Sequence, residues 1–154
     1  MSGRDRWGPP AWLFFHVYAE KINEEYYKAN YKNIMSQIRN ICNSIPCPFC
    51  QKHANEYLRK INDNRINTKE LLKRFFFNFH NNTNKITHKP IHDYDILKKY
   101  EKYDRKQTID CINKFYAEFF FEKKMSRLLN GWQININKKK FKNWILGEIQ
   151  HLTI

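Results

Sequence analysis

Cys47-Pro48-Phe49-Cys50, with His53 three residues on, is the stretch of this chain best equipped for chemistry. Two thiols at i and i+3 in the first turn of a helix can close into a disulfide and reopen. A helix N-terminus carries partial positive charge, which favours a thiolate and lowers its pKa. The same pair can instead be half of a structural zinc site, which takes four ligands. Cys42, His53, His80 or Cys111 would have to complete that site, and none sits at zinc-finger spacing. Pro48 and a helix start are also the wrong setting for inert core thiols. Redox exchange is therefore the stronger expectation, with zinc the alternative. Cys47, nearer the exposed end, is the expected target of an incoming thiol. Cys50, one turn in, faces whatever lies beneath.

Two further clusters carry polar chemistry. Trp12 and His16 are four residues apart and share a helical face, with Gly8 four residues earlier. Most such pairs are core packing. The functional reading is an aromatic plate beside a hydrogen-bonding group, suited to a flat heteroaromatic ligand. The third cluster is His80-Asn81-Asn82-Thr83-Asn84-Lys85, with Lys89-Pro90 beyond. His80 and Asn84 share one face, Asn81 and Lys85 the next. Asparagine is a mediocre helix former, and local conflicts of this kind gather at functional sites. These groups could bond a ring edge and a ribose while Lys85 and Lys89 neutralise phosphates. The plainer reading is the polar end of a helix.

The chain that must position these residues has 154 of them, enough for one domain with a real core. Hydrophobic residues at 42% and aromatic residues at 16% exclude a disordered chain. The net charge of +13 suits an acidic partner: nucleic acid, an anionic surface or a phosphate-bearing cofactor. The lysines are interleaved along every segment, which reads as solvated faces, and only Lys138-Lys139-Lys140 forms a compact run. Four unevenly spaced cysteines do not make a secreted disulfide scaffold. The stretch Met1 to Trp7 lacks the apolar core of a signal peptide, and no apolar run nears the ~18 residues that span a bilayer. The expectation is a cytoplasmic protein, neither secreted nor membrane-spanning.

The hydrophobic pattern is helical almost throughout. Pro9 and Pro10 are expected to open a first helix carrying Trp12, Phe15, Ala19, Ile22 and Tyr26. A second stripe runs Tyr31, Ile34, Ile38, Ile41, Ile45 and stops at Pro46. The third helix starts at Cys47 and is expected to bury Phe49, Tyr57, Leu58 and Ile61. Asn67 and Glu70 read as N-cap and capping-box partner of a fourth, with Leu71, Leu72, Phe75, Phe76 and Phe79, running to about Ile86. Asp93 starts a short helix to Tyr103. A longer one is expected from Asp104 to Asn130, stopped by Gly131. Ile134 to Asn137 alternates weakly, as an extended segment would, before an amphipathic piece with Phe141, Trp144, Ile145 and Ile149. Short connections between four or five helices predict an all-α bundle. Residues 1–100 are expected to form its core, and 101–154 a mostly helical extension packed on it or forming an interface.

Aromatic plus histidine, dithiol plus histidine, and His/Asn/Lys together describe a flavin pocket with a disulfide against the ring. The sequence resembles the FAD-linked Erv/ALR sulfhydryl oxidases. The shared motifs are Gly8-x-x-x-Trp12-x-x-x-His16, Pro46-Cys47-x-x-Cys50-x-x-His53 and His80-Asn81-x-x-Asn84, followed by Lys89-Pro90. Trp7-Gly8-Pro9 and the stretch Pro46 to Ala54 look most like small members encoded by large cytoplasmic DNA viruses. The resemblance implies a helical bundle holding FAD, often dimeric. Cys50 would meet the isoalloxazine and Cys47 exchange with substrate. Gly8, Trp12, His16, His53, His80, Asn81, Asn84, Lys85 and Lys89 would hold the cofactor. It implies a thiol-containing protein substrate, a small Cys-x-x-Cys or thioredoxin-like protein, oxidised with O2 reduced to H2O2. No metal or nucleic acid is needed, and a viral member would work in host cytoplasm at assembly sites or in the virion.

The chain also departs from the family pattern. Pro9 stands where an arginine is common, Thr83 for a valine, and Thr87-His88 for Leu-Gly before Lys89-Pro90. A downstream cysteine pair and a second Cys-x-x-Cys are missing, which points to direct exchange with a separate thiol protein. The rival reading is a basic zinc-binding module that binds nucleic acid or another partner. A second rival keeps the flavin fold without oxidase activity.

Overall fold

The computed structural model describes residues 3–120 and 131–154. The chain is all-α, with six described α-helices and three short 3-10 turns of helix among those residues. Helix α1 (Gly3–Lys21) starts well before the expected point and runs through Pro9 and Pro10. The two prolines remove two amide donors. Burial of Trp7, Ala11, Phe14 and Phe15 on either side holds the helix together. It ends at Lys21 because Asn23 caps the next helix, its side-chain oxygen accepting from the Tyr26 N–H at 2.9 Å. Tyr26 therefore belongs to α2 (Glu24–Cys42), not to α1. The α2 stripe buries Ile34, Ile38 and Ile41 as the pattern predicts.

Helix α3 (Pro48–Arg59) carries Pro48 in its first turn and Cys47 as its N-cap. Phe49 was expected inside; it is 54% exposed, because it lies across the helix from buried Leu58. Tyr57 and Ile61 are half-buried, and Ile61 falls beyond the helix. The Arg39 guanidinium of α2 donates to the Leu58 carbonyl at 3.0 Å and the Ile61 carbonyl at 3.4 Å, fixing that end of α3. Helix α4 (Lys69–Ile86) is capped by Thr68 rather than Asn67, the Thr68 hydroxyl accepting from the Leu71 N–H. Glu70 instead takes the Tyr94 hydroxyl at 2.7 Å and Arg74, and Leu71 is exposed.

A 3-10 segment, Tyr94–Lys102, follows Asp93. Helix α5 (Arg105–Phe119) opens with an Asp104/Gln107 capping box. It ends at Phe119, and the rest of the expected run to Asn130, residues 121–130, lies outside the described residues. Helix α6 (Gly131–Glu148) contains Ile134–Asn137, expected to be extended, while the expected stop at Gly131 borders residues outside the described ones. The spacing of buried Phe141, Ile145 and Glu148 explains why the helical period wins there.

Ring contacts set the registers. Phe15 stacks on Phe76 at 4.7 Å and Trp12 meets Phe79 edge-on at 5.2 Å, so α1 and α4 run antiparallel. Phe14 stacks on Phe115 at 4.6 Å and Trp7 meets Phe119 edge-on, so α5 is antiparallel to α1 on its other side. Phe141 joins this second cluster at 5.1 Å from Phe115. The C-terminus is stitched to the α1–α2 turn. The Thr153 N–H donates to the Lys21 carbonyl at 2.6 Å, the Asn23 N–H to His151, and Tyr18 and Tyr26 donate to buried Glu148. No described helix is long and apolar enough to cross a membrane.

Candidate active site

The dithiol is built by the start of α3. Cys47 is extended and its sulfur accepts the Cys50 N–H at 3.2 Å, doing the work that serine or aspartate does at other helix starts. The two sulfurs are free thiols in this structure, as are those of buried Cys42 and Cys111. Burial, then the hydrogen bond and charge of Cys47, push the Cys50 pKa up to about 12, and Arg4 pulls it the other way.

Cys50 borders a cavity of about 500 Å³ lined by α1, the end of α2 with Cys42, α3, α4, the Tyr94–Lys102 segment and the end of α5. Arg4, Gly8 and Trp12 line it from α1, Cys50 and His53 from α3, and His80 and Asn84 from α4; Lys89 follows in the next loop. Cys47 is not part of its wall. The dithiol thus has two sides, one sulfur on the cavity and the other away from it.

Three residues expected at the cofactor lie off the wall. His16 is buried behind His80, stacked on Tyr100 and sharing a 2.9 Å hydrogen bond with the His80 ring. Burial, then His80 and Lys99, lower the His16 pKa to about 3; burial, then His92 and the two lysines, lower His80 to about 4. Both imidazoles are neutral, so one ring nitrogen donates and the other accepts. Asn81 turns one step off the His80 face. It donates to the His92 carbonyl at 2.9 Å and accepts the His92 N–H at 3.1 Å, clamping the loop that carries Lys89. Lys85 points to solvent, a step round the helix from Asn84.

His80 also lies flat on Trp12, ring centroids 4.2 Å apart, so that face of the indole is covered by protein. What Trp12 offers the cavity is the rest of its ring. Asn84 is 5% exposed, lines the cavity, and makes no side-chain hydrogen bond to another described residue. Its amide is available to a ligand in the cavity.

The sequence reading missed Arg4, His92, Lys99, Tyr100 and Phe119 on the wall. Arg4 was findable, since it continues the four-residue spacing of Gly8, Trp12 and His16. Lys99 and His92 depend on how the loop folds back, and Phe119 on the docking of α5. The loop itself is explained by Thr87-His88. His88 adopts φ 57°, with the His88 N–H reaching the Lys85 carbonyl and the Lys89 N–H the Asn84 carbonyl at 2.8 Å. This is a Schellman closure with histidine where glycine is usual.

The residues present fit an FAD. The wall supplies apolar and aromatic surface, the Asn84 amide, and cations at Lys89 and Lys99 for a pyrophosphate. Among the described residues no cluster of three or more potential metal ligands occurs.

The Erv1 / Alr family matches residues 9–107. An African swine fever virus protein (isolate Pig/Kenya/KEN-50/1950) named FAD-linked sulfhydryl oxidase is 34% identical over 105 residues, 68% of this chain and 87% of its own. A second of that name, from isolate Tick/Malawi/Lil 20-1/1983, is 38% identical over 86 residues, 55% of this chain and 71% of its own. No solved structure matches.

Proposed function

The chain belongs to the Erv1 / Alr family, and from that premise we propose that it is an FAD-linked sulfhydryl oxidase that forms disulfides in protein substrates. The observation that carries the reading is Cys50 on the wall of a cavity fitted for a flavin dinucleotide, with Cys47 outside it. A substrate thiolate attacks the Cys47 sulfur of the Cys47–Cys50 disulfide, and Cys50 leaves as a thiolate. A second substrate thiol resolves the mixed disulfide, which releases Cys47 and leaves the substrate oxidised. FAD, when bound, takes the electron pair from the dithiol and delivers it to oxygen, giving H2O2.

Trp12, His53, His80 and Asn84 would hold the ring system and ribose, and Lys89 with Lys99 the phosphates. His16 and Asn81 act one layer back: His16 orients His80, and Asn81 holds the loop of Lys89. Gly8 admits a Cβ at an ordinary 3.8 Å from Arg4, so its part is to keep the cavity wall low. The proposal includes a separate thiol protein as substrate, a cytoplasmic site of action and a homodimer. Exposed Leu71, Ile91 and Leu146 are apolar side chains available to such an interface. Thiol-dependent oxygen consumption with stoichiometric H2O2 tests the activity, and light scattering tests the dimer. A chain that carries FAD and consumes no oxygen with any dithiol would leave only the cofactor-binding half of the proposal.

A further inference from the structure

Arg4 lies before the family match, which begins at residue 9. It stands one turn ahead of Gly8 on the α1 face that also carries Trp12 and His16. It lines the cavity together with Cys50. Arg6, two residues on, is committed to Glu118 of α5. Resting on the oxidase reading, we propose that Arg4 is a catalytic residue whose guanidinium stabilises the Cys50 sulfur as it leaves Cys47.

When a substrate thiolate attacks Cys47, a substrate–Cys47 bond forms and the Cys47–Cys50 bond breaks. Cys50 departs with the electron pair as a thiolate. A sulfur that holds its proton tightly leaves slowly. Cys50 needs help here, because burial disfavours its thiolate. Besides Cys50, the titratable and charged groups on the cavity wall are Cys42 from α2, His53 from α3, His80 from α4, Lys89, His92, Lys99 and Tyr100 beyond it, and Arg4 from α1. Of these, Arg4 shares the wall with Cys50 and is the cation that favours its thiolate. The cation is therefore supplied by a helix start outside the matched motifs.

The test reads Cys50 directly. In a Cys47→Ser background, iodoacetamide labelling of Cys50 is followed against pH by mass spectrometry. Arg4→Gln is expected to move the labelling midpoint up by about one pH unit or more, and Arg4→Lys to restore most of it. With both cysteines present, Arg4→Gln is expected to slow reduction of the Cys47–Cys50 disulfide by dithiothreitol at pH 7. An unshifted midpoint together with an unchanged reduction rate overturns the assignment. Oxygen consumption by the unaltered chain is measured alongside. Its absence would remove the oxidase reading itself, whereas turnover with an unshifted midpoint removes only the part given to Arg4.

Discussion

The two faces of α1 are made from similar residues and treated in opposite ways. One face, through Phe14 and Tyr18, packs against Phe115, Phe141 and Trp144, and its polar atoms are answered within the protein, as Tyr18 is by Glu148. The other, through Arg4, Gly8 and Trp12, meets α3 and α4 across a cavity, with the Asn84 side chain bonded to no other described residue. The dry face holds the helix in place. The cavity face keeps donors and cations directed at something that is not protein. That contrast separates stability from chemistry along one helix, and each side of it can be broken separately.

The largest effect is expected at the dithiol. Cys47→Ser or Cys50→Ser should abolish thiol oxidation while leaving a folded, flavin-binding chain, as read by oxygen electrode and circular dichroism. On the dry face, Phe115 is 0% exposed, and Phe115→Ala should cost about 3–5 kcal/mol in urea unfolding. Asn84→Leu should do the reverse. It removes an amide whose side chain bonds no other described residue, so the unloaded chain should be as stable or more so, while the FAD-to-protein ratio falls.

The histidine pair adds a pH signature to the cavity face. The native pKa values of His16 and His80 lie below the ordinary 6.5 because burial disfavours charge. Below pH 6.5 the unfolded chain binds protons that the folded chain refuses. The stability of the neutral pair is therefore complete above about pH 6.5, and is lost as pH falls toward about 4 for His80 and about 3 for His16. Urea midpoints at pH 7.5 and 5 should differ, and the difference should shrink in His80→Gln. The smallest effect is expected at His88→Gly, which relieves a left-handed residue and should add about 1 kcal/mol.

Much of this arrangement was legible in the sequence, and what was not has physical causes. The stripes of α2 and α4 and the thiols at the start of α3 follow from periodicity and from Pro48. The same-face pairs Gly8/Trp12 and His80/Asn84 came out on one wall because four-residue spacing is a property of the helix itself. Lys85 and Asn81 did not, since one step of rotation turns them away, to solvent and to the His92 backbone. The prolines in α1 and the helical Ile134–Asn137 stretch were misread because tertiary burial outweighed local preference. Phe119 reaches the wall only through docking of α5, which no local pattern encodes.

The central claim is that Cys50 alone connects the dithiol to a flavin held on the cavity face. Anaerobic addition of a dithiol to the FAD-loaded chain, followed by visible absorption, tests it most directly. The account predicts that the flavin of the unaltered chain bleaches, while Cys50→Ser keeps its FAD and its colour. Bleaching of Cys50→Ser as fast as that of the unaltered chain would contradict it.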